Sequence, residues 1–293
     1  MQKKQSLSFP KKFLWGAASS AHQFEGGNHN QWTVWELENA KSKAAQSNYH
    51  FEDLDSWEYV KKEASDPASY VSGAASDHYE RYAEDFDLLQ KMNMNAFRFS
   101  IEWSRIEPEE GKFNDKEIEH YRDVLRALRE RGMEPFVTLW HFTNPLWFVK
   151  LGGWENPKAA FYFARYAQHV AEKLGAMATF WLTLNEPMVW VTDAYTRSLW
   201  PPQKSNPVLA LRVVRNLIAA HKNAYGAMHA VAPHAIAVGI ANNSNYFEGW
   251  LAPLARWWRN TMFLQAICHH QDFIGIKYYF HNRISVLQFN ANA

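Results

Sequence analysis

Short, mostly apolar runs alternate along this chain with longer runs in which apolar positions recur every three to four residues. The short runs predict strands buried on both faces, over Phe13–Ala18, Ala96–Ile101, Pro135–Trp140, Thr179–Thr183, Ala237–Ile240 and Phe273–Tyr278. The long runs predict helices over 78–92 (with Asp77 as its cap), 115–131, 157–174, 207–231 and 250–267. Pro157 and Pro207 stand where a first helical turn accepts proline, and Gly132 and Gly175 stand where helices stop. The polar stretch from Asn28 to about Ser76 reads as a long loop over one end of the fold, with room for short helices.

Strict alternation of apolar strands with helices implies a parallel sheet with helices outside it. No glycine-rich phosphate loop follows the first strand, which weakens a doubly wound nucleotide-binding fold. A (β/α)8 TIM barrel fits better, although only six of its eight strand–helix units can be found. The expectation is one incomplete β/α-barrel domain over residues 1–293.

Composition narrows the function. Lys plus Arg (31) nearly cancel Asp plus Glu (30), so neither nucleic acid nor an anionic membrane is an expected partner. No apolar run approaches membrane-spanning length, and MQKKQSLSFPKKF is basic without the apolar core of a signal peptide. The lone cysteine, Cys268, excludes an internal disulfide and suits a reducing compartment, so a cytoplasmic location is expected. Aromatic residues are abundant (14 Trp, 13 Tyr, 19 Phe); they either fill a large core or line a site for sugars, which have one apolar face and polar edges.

Barrel enzymes place functional groups at the carboxyl ends of their strands. Here the first strand is followed by His22, Gln23 and Glu25, and the second carries Arg98 and ends at Glu102 and Trp103. The third ends at Trp140 and His141, the fourth at Asn185, Glu186 and Pro187. The fifth ends at Asn242 and Asn243, the sixth near Lys277, Tyr278 and Tyr279. Hydrogen-bonding groups at every strand end, often beside an aromatic ring, point to a polyol-binding pocket. No cofactor or metal is expected.

The segments FLWGAASSAHQFEG, FRFSIEWSRIEP, TLWHFTNPLW, TLNEP and DFIGIKYY, in that order, resemble the signature segments of family 1 glycoside hydrolases, the β-glucosidases and β-galactosidases. The resemblance implies a retaining β-glycosidase using two carboxylates roughly 5–5.5 Å apart, one as acid/base and one as nucleophile. By position, Glu186 matches the acid/base and Asn185 the residue that bonds the sugar 2-hydroxyl. Gln23 and His141 match residues holding the other hydroxyls. Arg98 matches the arginine beside the nucleophile, and Tyr279 the tyrosine that bonds it. Glu25, Glu102 and Glu248 are expected to be loop or supporting carboxylates.

Two departures qualify this expectation. The TENG-like segment that carries the family's nucleophile is not found, nor is the following strand's segment; a truncated sequence with little or no activity is the favoured reading. The alternative is a non-hydrolytic carbohydrate-binding remnant. Six strands of an eight-strand design should also leave unpaired edges. The second departure is Lys277, where the family usually has Asn; a cation facing Glu186 would oppose a proton-donating role, unless its side chain turns away.

Overall fold

The computed structural model describes residues 8–232, 236–284 and 289–290. All six expected runs enter one parallel sheet: β1 (Gly16–Ala18), β2 (Ala96–Ser100), β3 (Glu134–Trp140), β4 (Phe180–Asn185), β5 (Ala237–Asn243) and β7 (Phe273–Lys277). Their spatial order is β1-β2-β3-β4-β5-β7, a curled part of a (β/α)8 barrel. Between β5 and β7 lies β6 (Tyr246–Glu248), which pairs with β8 (His281–Ile284); β8 pairs in turn with β9 (Phe289–Asn290) in a separate small sheet. The strand pattern did not reveal this second sheet.

Two glycines let neighbouring strands approach. A Cβ on Gly16 would lie 2.4 Å from the Ala96 carbonyl oxygen, and one on Gly239 would lie 2.2 Å from that of Phe273. β1 starts at Gly16 rather than Phe13 because Asn95 takes the preceding backbone: Trp15 N donates to Asn95 Oδ1 (2.6 Å) and Asn95 N to Trp15 O (2.8 Å). Phe13, Leu14 and Trp15 are left exposed. Among the described residues β1 and β7 do not pair, and Ile276 on β7 is 67% exposed, so both sheet edges stand open as the strand count implied.

Four of the five expected helices appear as His78–Lys91, Asp115–Glu130, Ala159–Leu174 and Pro207–Val231. Asn206 caps the last of these, accepting from Val208 N (3.0 Å) and Leu209 N (3.1 Å). Three expected signals act differently. Asp77 precedes its helix in a left-handed conformation (φ 55°) and its side chain makes no capping bond. Gly132 is left-handed (φ 70°), as a helix stop should be, but Gly175 is right-handed and opens a 3-10 turn. The helix after Pro157 begins at Ala159. The stretch 250–267 divides into Ala252–Arg256, a π turn at Trp257–Thr261, and Met262–Ile267.

The polar segment after Asn28 is largely helical, including Gln31–Ala45 capped by Asn30. It is latched to the end of β1, where His22 Nε2 and Ser72 Oγ both meet Glu36 Oε1 at 2.9 Å. Helices Ala159–Leu174 and Pro207–Val231 pack side by side against the sheet's outer face. Much of the aromatic surplus is core: Trp103, Trp140, Trp154, Trp181 and Trp190 are all essentially buried. Trp140 meets Trp154 and Trp190 edge-on, with centroids 5.2 and 5.3 Å away. No helix among the described residues is long and apolar enough to cross a membrane.

Candidate functional site

β4 runs two residues further than its apolar run, so it delivers Asn185, fully buried, and then Glu186, nearly so. Glu186 leaves the strand in a left-handed conformation (φ 44°, ψ 55°), a state costing a non-glycine residue on the order of 1–3 kcal/mol. Its backbone is held on both sides. Glu186 N donates to Ala241 O on β5 (2.7 Å), and Glu186 O accepts from Val189 N (3.0 Å) and Trp190 N (3.2 Å). Pro187 then opens a helix, Pro187–Tyr195, which the sequence pattern had hidden. The sharp turn between strand and helix presents the carboxyl group at the carboxyl end of the sheet.

Three side chains donate to that carboxyl group. Asn243 Nδ2, from the end of β5, reaches Oε1 at 3.1 Å. Lys277 Nζ, from the end of β7, reaches Oε2 at 3.2 Å, and Asn185 Nδ2 reaches the same oxygen at 3.3 Å. Lys277 therefore turns inward and forms an ion pair with Glu186. Asn243 was noted at a strand end but given no role; its place at the end of β5, two residues beyond Ala241 (the register partner of Asn185), was the available signal. Asn242 beside it points elsewhere, to Ser244 Oγ (3.0 Å).

Arg98 approaches from β2, donating through Nη2 to Asn185 Oδ1 (2.8 Å) and through Nε to Thr138 Oγ1 (3.0 Å). These partners fix the Asn185 amide, its oxygen facing Arg98 and its nitrogen facing Glu186. Burial draws the Arg98 guanidinium down to about 10, so it remains charged at neutral pH. Among the described residues no carboxylate lies within ion-pair distance of Arg98. His141 follows β3, and burial, with Arg98 and then Lys277 adding repulsion, holds its imidazole well below the ordinary histidine range. It is neutral at pH 7, and its Nδ1 is buried without a partner among the described residues. The next residue, Phe142, is also left-handed (φ 78°), so two strained positions flank the site.

Gln23 and Tyr279 stand further out. Gln23 lies exposed in the turn Ala21–Phe24, where its Oε1 accepts from Ser20 Oγ (2.6 Å). Tyr279, just beyond β7, is largely exposed; desolvation and then the Glu186 charge push its hydroxyl up. Neither side chain hydrogen-bonds to Asn185, Glu186 or Arg98. The three other carboxylates serve local structure. Glu25 pairs with Arg105 (3.0 Å), Glu102 accepts from Ser104 and Thr143 Oγ (both 2.8 Å), and Glu248 faces His281 (3.5 Å). Among the described residues no group of three or more His, Cys, Asp or Glu could hold a metal ion.

A left-handed Glu at the end of a parallel strand, an amide before it and an arginine across from it form a constellation that can be sought in other proteins. The model of glycosyl hydrolase family 1 matches residues 5–255. β-Glucosidase A of Thermotoga maritima is 32% identical over 245 residues, covering 82% of this chain and 50% of that protein. The chain belongs to glycosyl hydrolase family 1. A second family relative, β-galactosidase of Pyrococcus woesei, is 31% identical over 266 residues, covering 74% of this chain and 49% of that one. Among solved structures, the β-glycosidase from Pyrococcus horikoshii superposes with a TM-score of 0.81 at 33% identity, covering 97% of this chain and 67% of that one. The chain spans about half the length of the curated family 1 relatives it matches.

Proposed function

We propose that this chain carries the acid/base side of a retaining β-glycosidase acting on terminal β-linked glycosides, in the manner of a β-glucosidase. The observation that carries the reading is the buried Asn185–Glu186 pair at the end of β4, tied across the sheet to Arg98. In this reading Glu186 protonates the leaving glycosidic oxygen and later takes the proton of the incoming water. Asn185 bonds the sugar 2-hydroxyl, with its amide already oriented. His141, neutral, and Gln23 hold other hydroxyls of the same sugar. Arg98 and Tyr279 face the place where a second carboxylate would act as nucleophile, and no cofactor is required.

Without that carboxylate the glycosyl-enzyme route lacks its first step, so the 293-residue chain on its own is expected to turn over little or no substrate. Purified protein and its Glu186→Gln variant, assayed on 4-nitrophenyl β-glucoside, test this. Turnover that disappears in Glu186→Gln supports the role of Glu186 and refutes the impaired state; turnover unaffected by the substitution refutes the role itself.

The ion pair from Lys277 favours a second reading, a carbohydrate-binding barrel that does not hydrolyse. Oε2, one of the two oxygens that could carry a proton, already accepts from two donors. Calorimetric binding of glucose or cellobiose without product release, lost on Asn185→Ala, would favour this reading over the first.

A further inference from the structure

The proton-transfer scheme does not use Lys277. Its side chain is only 20% exposed, and its amine lies 3.2 Å from Glu186 Oε2. The charged and titratable groups around this pair come from every neighbouring element: Arg98 on β2, His141 after β3, Glu186 after β4, Arg259 in the π turn, and Tyr279 just beyond β7. Burial and the Arg98 charge pull the Lys277 amine below the ordinary lysine range, outweighing the opposite pull of Glu186. A desolvated lysine beside a second cation is an arrangement that frees an amine for attack on carbonyl carbon. Among the described residues the approach is open, because β7 is a sheet edge there and Tyr278 and Tyr279 are exposed. Asn185, Asn243 and His141 nearby are neutral hydrogen-bonding groups, which suit an aldehyde that carries hydroxyls.

We propose that Lys277 is a nucleophilic amine that condenses with the carbonyl of small hydroxyaldehydes and open-chain aldoses, with Glu186 as the proton carrier. Glu186 first takes a proton from the ammonium. The free Nζ then attacks the carbonyl carbon, a C–N bond forms, and the π pair moves to oxygen. A proton passes from nitrogen to that oxygen, giving a neutral carbinolamine. Glu186 returns its proton to the hydroxyl, the C–O bond breaks, water leaves, and the nitrogen lone pair closes a protonated imine. The net change is ammonium plus aldehyde to iminium plus water, with Glu186 regenerated and no oxidant or reductant needed. This chemistry is independent of glycoside hydrolysis, so either can fail without the other.

The test is reductive trapping: the 293-residue protein is incubated with glyceraldehyde and cyanoborohydride near neutral pH and mapped by peptide mass spectrometry. Lys277 is expected to be labelled faster than the exposed Lys112, since an amine desolvated beside a second cation gives up its proton more readily. Its labelling should reach half-maximum at lower pH than that of Lys112, and the difference should vanish in urea. Glu186→Gln removes the neighbouring charge that holds the proton on Lys277, so it should move the half-maximum of Lys277 labelling to still lower pH and leave Lys112 unchanged. Labelling of Lys277 no faster than Lys112 in the folded protein, a coincident pH profile, or a Lys277 profile that does not move in Glu186→Gln would each overturn the proposal.

Discussion

Glu25 offers a direct test of how this fold tolerates a buried carboxyl group. It sits in the loop after β1, enclosed, with Oε2 on Arg105 Nε (3.0 Å) and Oε1 accepting from Tyr121 OH (2.8 Å). Burial raises it from its ordinary 4.5 to about 7, against the pull of Arg105. The folded state therefore keeps a proton that the unfolded chain has already released. Between those two values stability falls as pH rises, and above about 7 the loss is complete. At about 1.4 kcal/mol per pH unit the full loss is on the order of 3 kcal/mol, of which about 2–3 kcal/mol falls between about pH 5 and about pH 8. Glu25→Gln removes the ionisation while Arg105 keeps Asn28 Oδ1 (3.0 Å) and Gly26 O (2.7 Å). His120, drawn down to about 4 chiefly by burial, stays neutral in the folded state across this range. Urea unfolding followed by tryptophan fluorescence at both pH values gives the variant's stability minus the wild type's. That difference should shift in the variant's favour by about 2–3 kcal/mol from about pH 5 to about pH 8. A difference that stays constant with pH refutes the argument.

Two further substitutions address the scaffold. Trp181→Ala deletes a fully buried ring and the bond from its Nε1 to Ala178 O (2.9 Å); denaturant unfolding should show a loss of about 3–5 kcal/mol. Asn206→Ala removes a cap that satisfies two backbone donors of Pro207–Val231, and the same measurement should show a loss of about 1 kcal/mol.

The sheet was legible because its central strands are buried on both faces, so Val137, Leu139, Trp181, Leu184, Val238 and Ile240 stand in mostly apolar runs, interrupted only by small buried residues such as Thr138 and Thr183. The helices that went unseen break the rule that exposes helices, an apolar stripe on a polar cylinder. Gln31–Ala45 scatters Trp32, Val34, Trp35 and Leu37 around its circumference instead of gathering them in one stripe, and looked like a loop. Pro187–Tyr195 is buried nearly all round and shows no polar face. The second sheet rests on β6 and β8, three and four residues long, too short to carry a period. Asp77 shows a different limit: it sits at the right position, but its left-handed backbone leaves the capping bond unmade.

At the site, sequence located the groups and the fold decided their partners. Strand ends pointed to Arg98, Asn185 and Lys277, but whether Lys277 turned inward depended on a side-chain path that no pattern records. Its inward turn gives Glu186 a cation, while Arg98 has only the neutral oxygens of Thr138 and Asn185 among the described residues. Placing a guanidinium away from water without an anion is costly, and a neighbouring carboxylate would offset that cost. Under the proposed function the two cations thus divide the readings between them. Relief of Arg98 by a carboxylate supports the two-carboxylate enzyme, whereas persistence of the Lys277–Glu186 pair in a sugar-bound state supports the binding remnant. The ligand-bound arrangement of these four side chains is therefore a sharper discriminator than the presence of any one of them.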